Sequence, residues 1–392
     1  MKQLLAYCLS IILCVSFTGC MENYLDLYPE DKITSASFPE NESDIKLLLN
    51  GVYAQLREKE VYNQGLFGFG ITDGATPNAF NWGTDEVFNK LGAGRLSSSD
   101  GGVVTYRWKR CYEIISRANY LLACMDLVDL SEEAKAKYSG ETHFLRGLAY
   151  SVLAETYGGV PIILTNISTE EARSLKRASL EETWQQALDD YEVAITNLGV
   201  DAPEPGRATK GAALGMKMRA YLYQGKYKEV LACVEQIDAL KKYGLFHSYE
   251  GLFDPANENN KEVLFDIQYI EGENSQGSYI DQYCGTGTGS WTRGSRYVPT
   301  DDLVAAYETI DGSPVDPENP YENRDPRLGF TAVLPGSYFL GYRFPNYLYP
   351  GGAFNHAGNR LKHLSTRKYR IQDESKLPPS GQSYINDIIL RY

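Results

Sequence analysis

Leu145, Leu148, Val152 and Leu153 recur at three- and four-residue intervals within 131–161, a spacing that predicts one long helix with a buried stripe. Ser131 suits its N-cap, and Glu132 and Glu133 place negative charge in the first turn, where the helix dipole favours it. Gly158 and Gly159 supply a flexible C-cap and Pro161 forbids continuation, so 160–164 reads as a short extended apolar segment. The same period appears on both sides. Ile45, Leu48, Leu49, Val52 and Leu56 share a face within 41–60, and Trp108, Cys111, Ile115, Ala118 and Leu122 make a stripe from Tyr106 onward. Ser179 and Glu182 form a capping box ahead of Leu180, Trp184, Leu188, Tyr191, Ile195 and Leu198, and Gly199 closes that helix. A further pair covers 209–224 and 227–240, broken at Gly225.

Elsewhere the pattern changes. Residues 63–102 are Gly, Asn, Asp and aromatic residues without period, long for a connection inside a compact domain and therefore a candidate functional loop. Its phenylalanines and Trp82 point to order. Residues 262–269 (EVLFDIQY) alternate apolar and polar and predict a strand. From there to Ser383 the chain is rich in Gly, Pro, Asn and Tyr, with 300–307 the clearest helix. The expected fold class is mainly α, with a loop-rich, strand-poor region laid on helix pairs. The last pair, about 34 residues with Ala212, Ala213, Gly215 and Ala220 allowing close approach, resembles a tetratricopeptide repeat. Aromatic residues in the helical stripes are expected in the core rather than in a site.

Composition narrows function a little. A net charge of −13 leaves no basic excess to neutralise phosphates, which argues against nucleic acid. Thirty tyrosines stand out, since each combines a flat apolar face with a hydrogen-bonding tip. At the N-terminus Lys2 precedes an apolar stretch, 4–17, too short to span a membrane comfortably. It ends in Phe17-Thr18-Gly19-Cys20, which resembles the lipobox of bacterial lipoproteins, although Phe17 is a less usual choice there. On that resemblance 1–19 is a cleaved signal peptide and Cys20 carries acyl chains such as palmitate, enough for a stable anchor. The competing reading is an ordinary secretory signal with an incidental cysteine. The remaining cysteines, Cys111, Cys124, Cys233 and Cys284, show no CxxC or zinc spacing. Cys111 and Cys124 sit too far apart along one helix to bridge, so buried free thiols are expected.

The ordered set of segments WKRCYEIISRANYLL (108–122), GETHFLRGLAY (140–150), YGGVPIIL (157–164), RASLEETWQQALDDYEVAITNL (177–198), GRATKGAALGMKMRAYLYQGKY (206–227), EVLFDIQY, IDGSP (310–314) and NRDPRL (323–328) resembles the RagB/SusD family from the lipobox to the last residue. The resemblance implies four tetratricopeptide-like helix pairs in an α–α superhelix, carrying a loop-rich part. It implies a lipoprotein on the outer face of a Gram-negative outer membrane. There it would capture glycans and deliver them to a SusC-type TonB-dependent transporter. The expected organisation is a signal peptide at 1–19, a tether at 20–40 and one domain at 41–392, with the scaffold mainly in 41–60 and 106–240 and the binding part in 61–105 and 241–386. Family members continue past the segment matching DIILRY (387–392) into a helix that opens the last pair. Here the sequence stops where that helix would begin, so the chain is either a fragment of a longer protein or the product of a broken gene; if the end is native, the fourth pair is missing.

Glycan recognition needs flat rings for the C–H face of a sugar, with donors and acceptors to replace water on its hydroxyls. Two stretches have that make-up: 63–102, with Asp73, Asn78, Asn81 and Trp82, and 283–297, with Tyr283, Trp291, Arg293 and Tyr297. Each Trp could equally serve as core. Gly285, Gly287 and Gly289 lack a following GK[ST] and a helix, which argues against a phosphate loop. Glu141 and His143 could be read as an acid/base pair, but both lie inside the long helix, and Glu141 and Arg146 are expected to serve packing and ion pairing. Asp325 with Arg324 and Arg327 suggests a turn held by charge-assisted hydrogen bonds. A glycoside hydrolase would need two opposed carboxylates. Asp73, Asp85 and Glu86 are available, yet no nucleophile motif accompanies them. Two non-enzymatic readings compete with glycan capture: a helical-repeat scaffold that binds protein alone, and a lipoprotein that binds peptide. No catalytic residue, metal or cofactor is expected.

Overall fold

The computed structural model describes residues 38–57, 73–81, 90–270, 277, 297–339, 342–343, 364–369, 376 and 383–392. Its scaffold helices follow the hydrophobic stripes: α1 (Glu42–Tyr53), α2 (Val103–Cys124), α3 (Glu132–Tyr157), α4 (Thr169–Ser174), α5 (Leu180–Asn197), α6 (Lys210–Tyr223) and α7 (Tyr227–Ala239). Apart from the short α4, each packs on its neighbour in chain order, with α3 against α5 the closest association. The fold is therefore the helical stack that the sequence predicts. No described helix is long and apolar enough to cross a membrane.

The central helix is α3. Ser131 Oγ caps the Ala134 N–H at 3.1 Å, and Gly158, at φ 78°, ends the helix with a bond to the Ala154 carbonyl. From Gly140 to Ala154 nearly every residue is buried, His143 being the part-exposed exception. Gly147 makes this possible: a Cβ there would lie 3.0 Å from the Tyr191 ring and 3.1 Å from the Ala187 carbonyl, both on α5. The buried polar side chains of α3 in this stretch are paired. Arg146 reaches both oxygens of Asp190 and donates to Asn119 Oδ1, while Asn119 donates onward to the Ile163 carbonyl at 3.0 Å. Segment 160–164 is extended as predicted but joins no described sheet. Side chains satisfy its backbone instead, with Tyr112 donating to the Pro161 carbonyl and Tyr150 bonding Ile163. Trp184 and Tyr191 are core residues, and Cys111, Cys124 and Cys233 are buried free thiols; Cys284 lies outside the described residues.

The loop-rich part carries β1 (Ala79–Asn81), from the first half of the chain, and from the second half β2 (Val263–Ile267), β3 (Tyr297–Pro299), α8 (Asp301–Ala306), α9 (Arg327–Thr331), β4 (Ala332–Val333), β5 (Tyr338–Phe339), β6 (Tyr342–Arg343), β7 (Ser365–Thr366) and β8 (Asp387–Arg391). They form antiparallel pairs: β1 with β3, β2 with β8, β4 with β7, and β5 with β6.

Several local expectations need correction. The first helix, expected to run to residue 60, stops at Tyr53, and a 3-10 turn, Ala54–Arg57, follows; 58–60 lie outside the described residues. The segment DIILR, expected only to lead into a further helix, is strand β8. It is the partner of the EVLFDIQY strand, with Ile267 opposite Asp387. The NRDPRL segment continues into α9, and α4 starts from its own capping box of Ser168 and Glu171.

Candidate functional site

The site is built from two segments remote in sequence. The first opens with the 3-10 turn Asp73–Ala75, where Thr76 donates from both its N–H and its hydroxyl to the Asp73 carbonyl. The Asn78 N–H is then held by Thr76 Oγ1 at 3.1 Å, and β1 follows. The second segment enters through β3 and turns into α8 at Thr300. β1 and β3 pair so that Ala79 faces Pro299, Phe80 faces Val298 and Asn81 faces Tyr297. Thr300 then locks the junction in three ways. Its N–H donates to the Asn78 carbonyl (3.1 Å), its hydroxyl donates to the Pro77 carbonyl, and the same oxygen caps the Leu303 N–H of α8.

The two predicted aromatic stretches are thus brought together at one bridge. Asn78, Asn81 and Tyr297 belong to it, and Asp73 sits in the turn that leads into it. Trp82, Tyr283, Trp291 and Arg293 lie outside the described residues, as does Cys20. Phe80, expected only to lend order to its loop, is 45% exposed while its cross-strand neighbour Val298 is buried. An exposed ring on a backbone-fixed strand is what sugar stacking requires. No sequence signal marks it, since a three-residue strand is too short to show alternation; the pleat puts Phe80 on the opposite face from the buried Ala79.

The acid/base reading of Glu141 and His143 does not survive. Glu141 accepts from the Tyr53 hydroxyl (2.7 Å) and from Arg207 (3.4 Å), and Arg207 stacks on the Tyr53 ring. Burial raises the Glu141 carboxyl above its ordinary range, against the pull of these donors. His143 bonds the Ser139 carbonyl through Nδ1 at 2.8 Å, and burial lowers its imidazole. Glu141 and Arg146 act as the sequence suggests, in packing and ion pairs. The 324–327 turn also holds by charge, with Arg327 on Asp325, while Arg324 goes to the Val304, Tyr307 and Pro320 carbonyls. Among the described residues no group of three His, Cys, Asp or Glu side chains is arranged to hold a metal.

Comparison with known proteins agrees with this architecture. The family described as "Starch-binding associating with outer membrane" (SusD-like) matches residues 23–222, and the SusD family matches residues 261–386. A SusD-like protein of Formosa agariphila is 26% identical over 321 residues, covering 76% of this chain and 58% of that protein. A SusD-like protein of Bacteroides ovatus is 24% identical over 276 residues, or 65% and 48% of the two chains. The chain therefore spans about half the length of these curated relatives. A crystal structure of a SusD-like carbohydrate binding protein from Bacteroides fragilis superposes with a TM-score of 0.79 at 26% identity, over 90% of this chain and 72% of that one. A laminarin binding SusD-like protein shares the fold, with a TM-score of 0.72 at 19% identity over 90% of this chain and 78% of that one.

Proposed function

Because the chain belongs to the SusD family of outer-membrane-associated glycan-binding proteins, we propose that it is a lipoprotein of the outer membrane, anchored through Cys20 and facing the exterior. There it captures oligosaccharides with the two aromatic stretches and hands them to a SusC-type TonB-dependent transporter. Binding is non-covalent: rings stack on sugar faces and amides and carboxylates replace water, with no bond made or broken. The observation that carries this reading is the β1–β3 bridge, which joins the stretches around Asp73, Asn78, Asn81 and Tyr297 and presents Phe80 to solvent. Trp82, Tyr283, Trp291 and Arg293 extend the same two stretches and are assigned to the same surface.

The test is affinity electrophoresis of the mature protein through gels cast with a panel of polysaccharides. Retardation in at least one gel, lost when Trp82 and Trp291 are both changed to Ala, supports glycan capture at this surface. Undiminished retardation in that double variant refutes the site. No retardation by the folded wild type in any gel refutes glycan capture and moves the cargo to peptide or protein.

A further inference from the structure

On the turn that follows β7, Lys368 carries its ammonium into a box of aromatic rings. Its Nζ lies 4.4 Å from the ring centre of Phe253, 5.5 Å from that of Tyr369 and 5.8 Å from that of Tyr249. Each ring face presents the negative part of its quadrupole, so three rings around one cation form a cage. The next residue, Tyr369, has φ 59°, a left-handed conformation that a bulky side chain keeps only when its surroundings impose it. The turn is tied at its back, where the Arg367 and Lys368 N–H groups both donate to the Thr331 carbonyl and Arg367 pairs with Glu250 at 3.0 Å. At its front β7 packs beside β3, one half of the bridge. The charged groups facing the ammonium come from both sides. Asp73 attracts it from the turn that opens the first site segment, and Asp387 attracts it from β8. Arg391, also on β8 and stacked on Tyr249 at 5.6 Å, repels it.

We propose that Lys368 is a positioning residue for the glycan surface: its caged ammonium anchors the end of β7 to the 249–253 segment and, through the packing of β7 on β3, steadies the β1–β3 bridge without touching the glycan. Only the last step, from a fixed bridge to glycan retention, rests on the function proposed above. The inference carries a pH signature. Burial among the rings, reinforced by Arg391, lowers Lys368 to about 8, so the cage loses its cation as pH rises through that value. Tyr249 and Tyr369, the titratable members of the cage, are pushed upward by burial and stay protonated there.

Hydrogen–deuterium exchange on glycan-free wild type, K368R and K368M tests this at pH 7 and pH 9, with intrinsic rates divided out. At pH 7, K368M should lose about tenfold in protection over 73–81 and 297–300, the scale of one well-formed cation–π cluster. Wild type should show the same loss by pH 9, and K368R should not. Protection of α3 should stay constant throughout. The same three proteins, run in a gel that retards wild type, should show retention lost in K368M and kept in K368R. Equal protection in wild type and K368M overturns the proposal. So does an unchanged wild type between pH 7 and pH 9, or a loss in K368R as deep as in K368M, because each points to packing rather than to the cation. If no gel retards wild type, the glycan reading fails, while the exchange result still decides the role of Lys368.

Discussion

Neutralising Glu258 and Asp266 should remove a pH dependence of stability that is built into the junction of β2 and β8. Both carboxyls meet at Asn386, the residue before β8. The Asn386 N–H donates to Glu258 Oε1 at 2.7 Å, its side-chain amide donates to Asp266 Oδ2 at 3.3 Å, and its Oδ1 accepts from the Tyr269 N–H at 2.9 Å. Burial, despite these donors, raises Glu258 to about 7, with Asp266 and Asp254 adding to the rise; burial likewise raises Asp266 to about 6. The folded state therefore holds protons that the unfolded state has released, and stability must fall as pH rises from the unfolded values near 4 to the folded values. Moving Asp266 from 3.8 to about 6 corresponds to ~3 kcal/mol. Glu258 is partly exposed and screened, so its share is discounted to ~1 kcal/mol. Urea unfolding of wild type and E258Q/D266N at pH 5, 6, 7 and 8 isolates this contribution from every other titration. Wild type should lose ~2 kcal/mol more than the variant between pH 5 and pH 8, the rest of the loss falling below pH 5. Parallel profiles, or a wild type that gains on the variant as pH rises, would show that these carboxyls are not destabilised by their burial.

Further consequences follow from single contacts. Gly147→Ala should cost ~1–3 kcal/mol by thermal unfolding, because the new methyl meets the Tyr191 ring and the Ala187 carbonyl at 3.0 and 3.1 Å. Arg146→Met should cost ~3–5 kcal/mol because it leaves Asp190 buried and unpaired, and R146M/D190L should recover a large part of that loss. Ser179→Ala should cost ~1 kcal/mol, the worth of the cap on the Glu182 N–H. Phe80→Ala should leave the unfolding midpoint nearly unchanged, since the ring is 45% exposed, while weakening glycan retention by ~0.5–1.5 kcal/mol of stacking.

The scaffold was legible because its signals are local. A stripe at 3.6-residue period, a serine three residues ahead of a glutamate, and a Gly-Gly-Val-Pro stop each act within one or two turns, and α3 and α5 begin and end at those signals. What could not be read locally depends on distant partners. DIILR has no strand signature beyond a short apolar run, and it becomes β8 only because β2 offers an edge and α6 offers Gly215. A Cβ at Gly215 would stand 2.1 Å from Leu390. Segment 160–164 is extended, as its own residues suggest, yet nothing in them announces that Tyr112, Asn119 and Tyr150 will supply its hydrogen bonds.

The site divides along the same line. The composition of the proposed site can be read in each stretch separately, since rings beside amides and carboxylates are what a hydroxylated cargo would need. Their convergence cannot, because β1 and β3 are three residues each, too short to show alternation, and over two hundred residues separate them. The bridge depends on backbone pairing and on Thr300, whose hydroxyl and N–H engage carbonyls rather than side chains on the opposing segment. Such a joint tolerates almost any side chain at its outward positions. On the function proposed above, changing the exposed ring at Phe80 would alter what the surface recognises without moving the frame that presents it. On that proposed function, selectivity and fold are separable at this position, and exchanging Phe80 for the corresponding residue of a relative with known cargo should shift glycan preference while leaving the unfolding midpoint in place. A midpoint that falls with the exchange would show that recognition and framework share the same side chains.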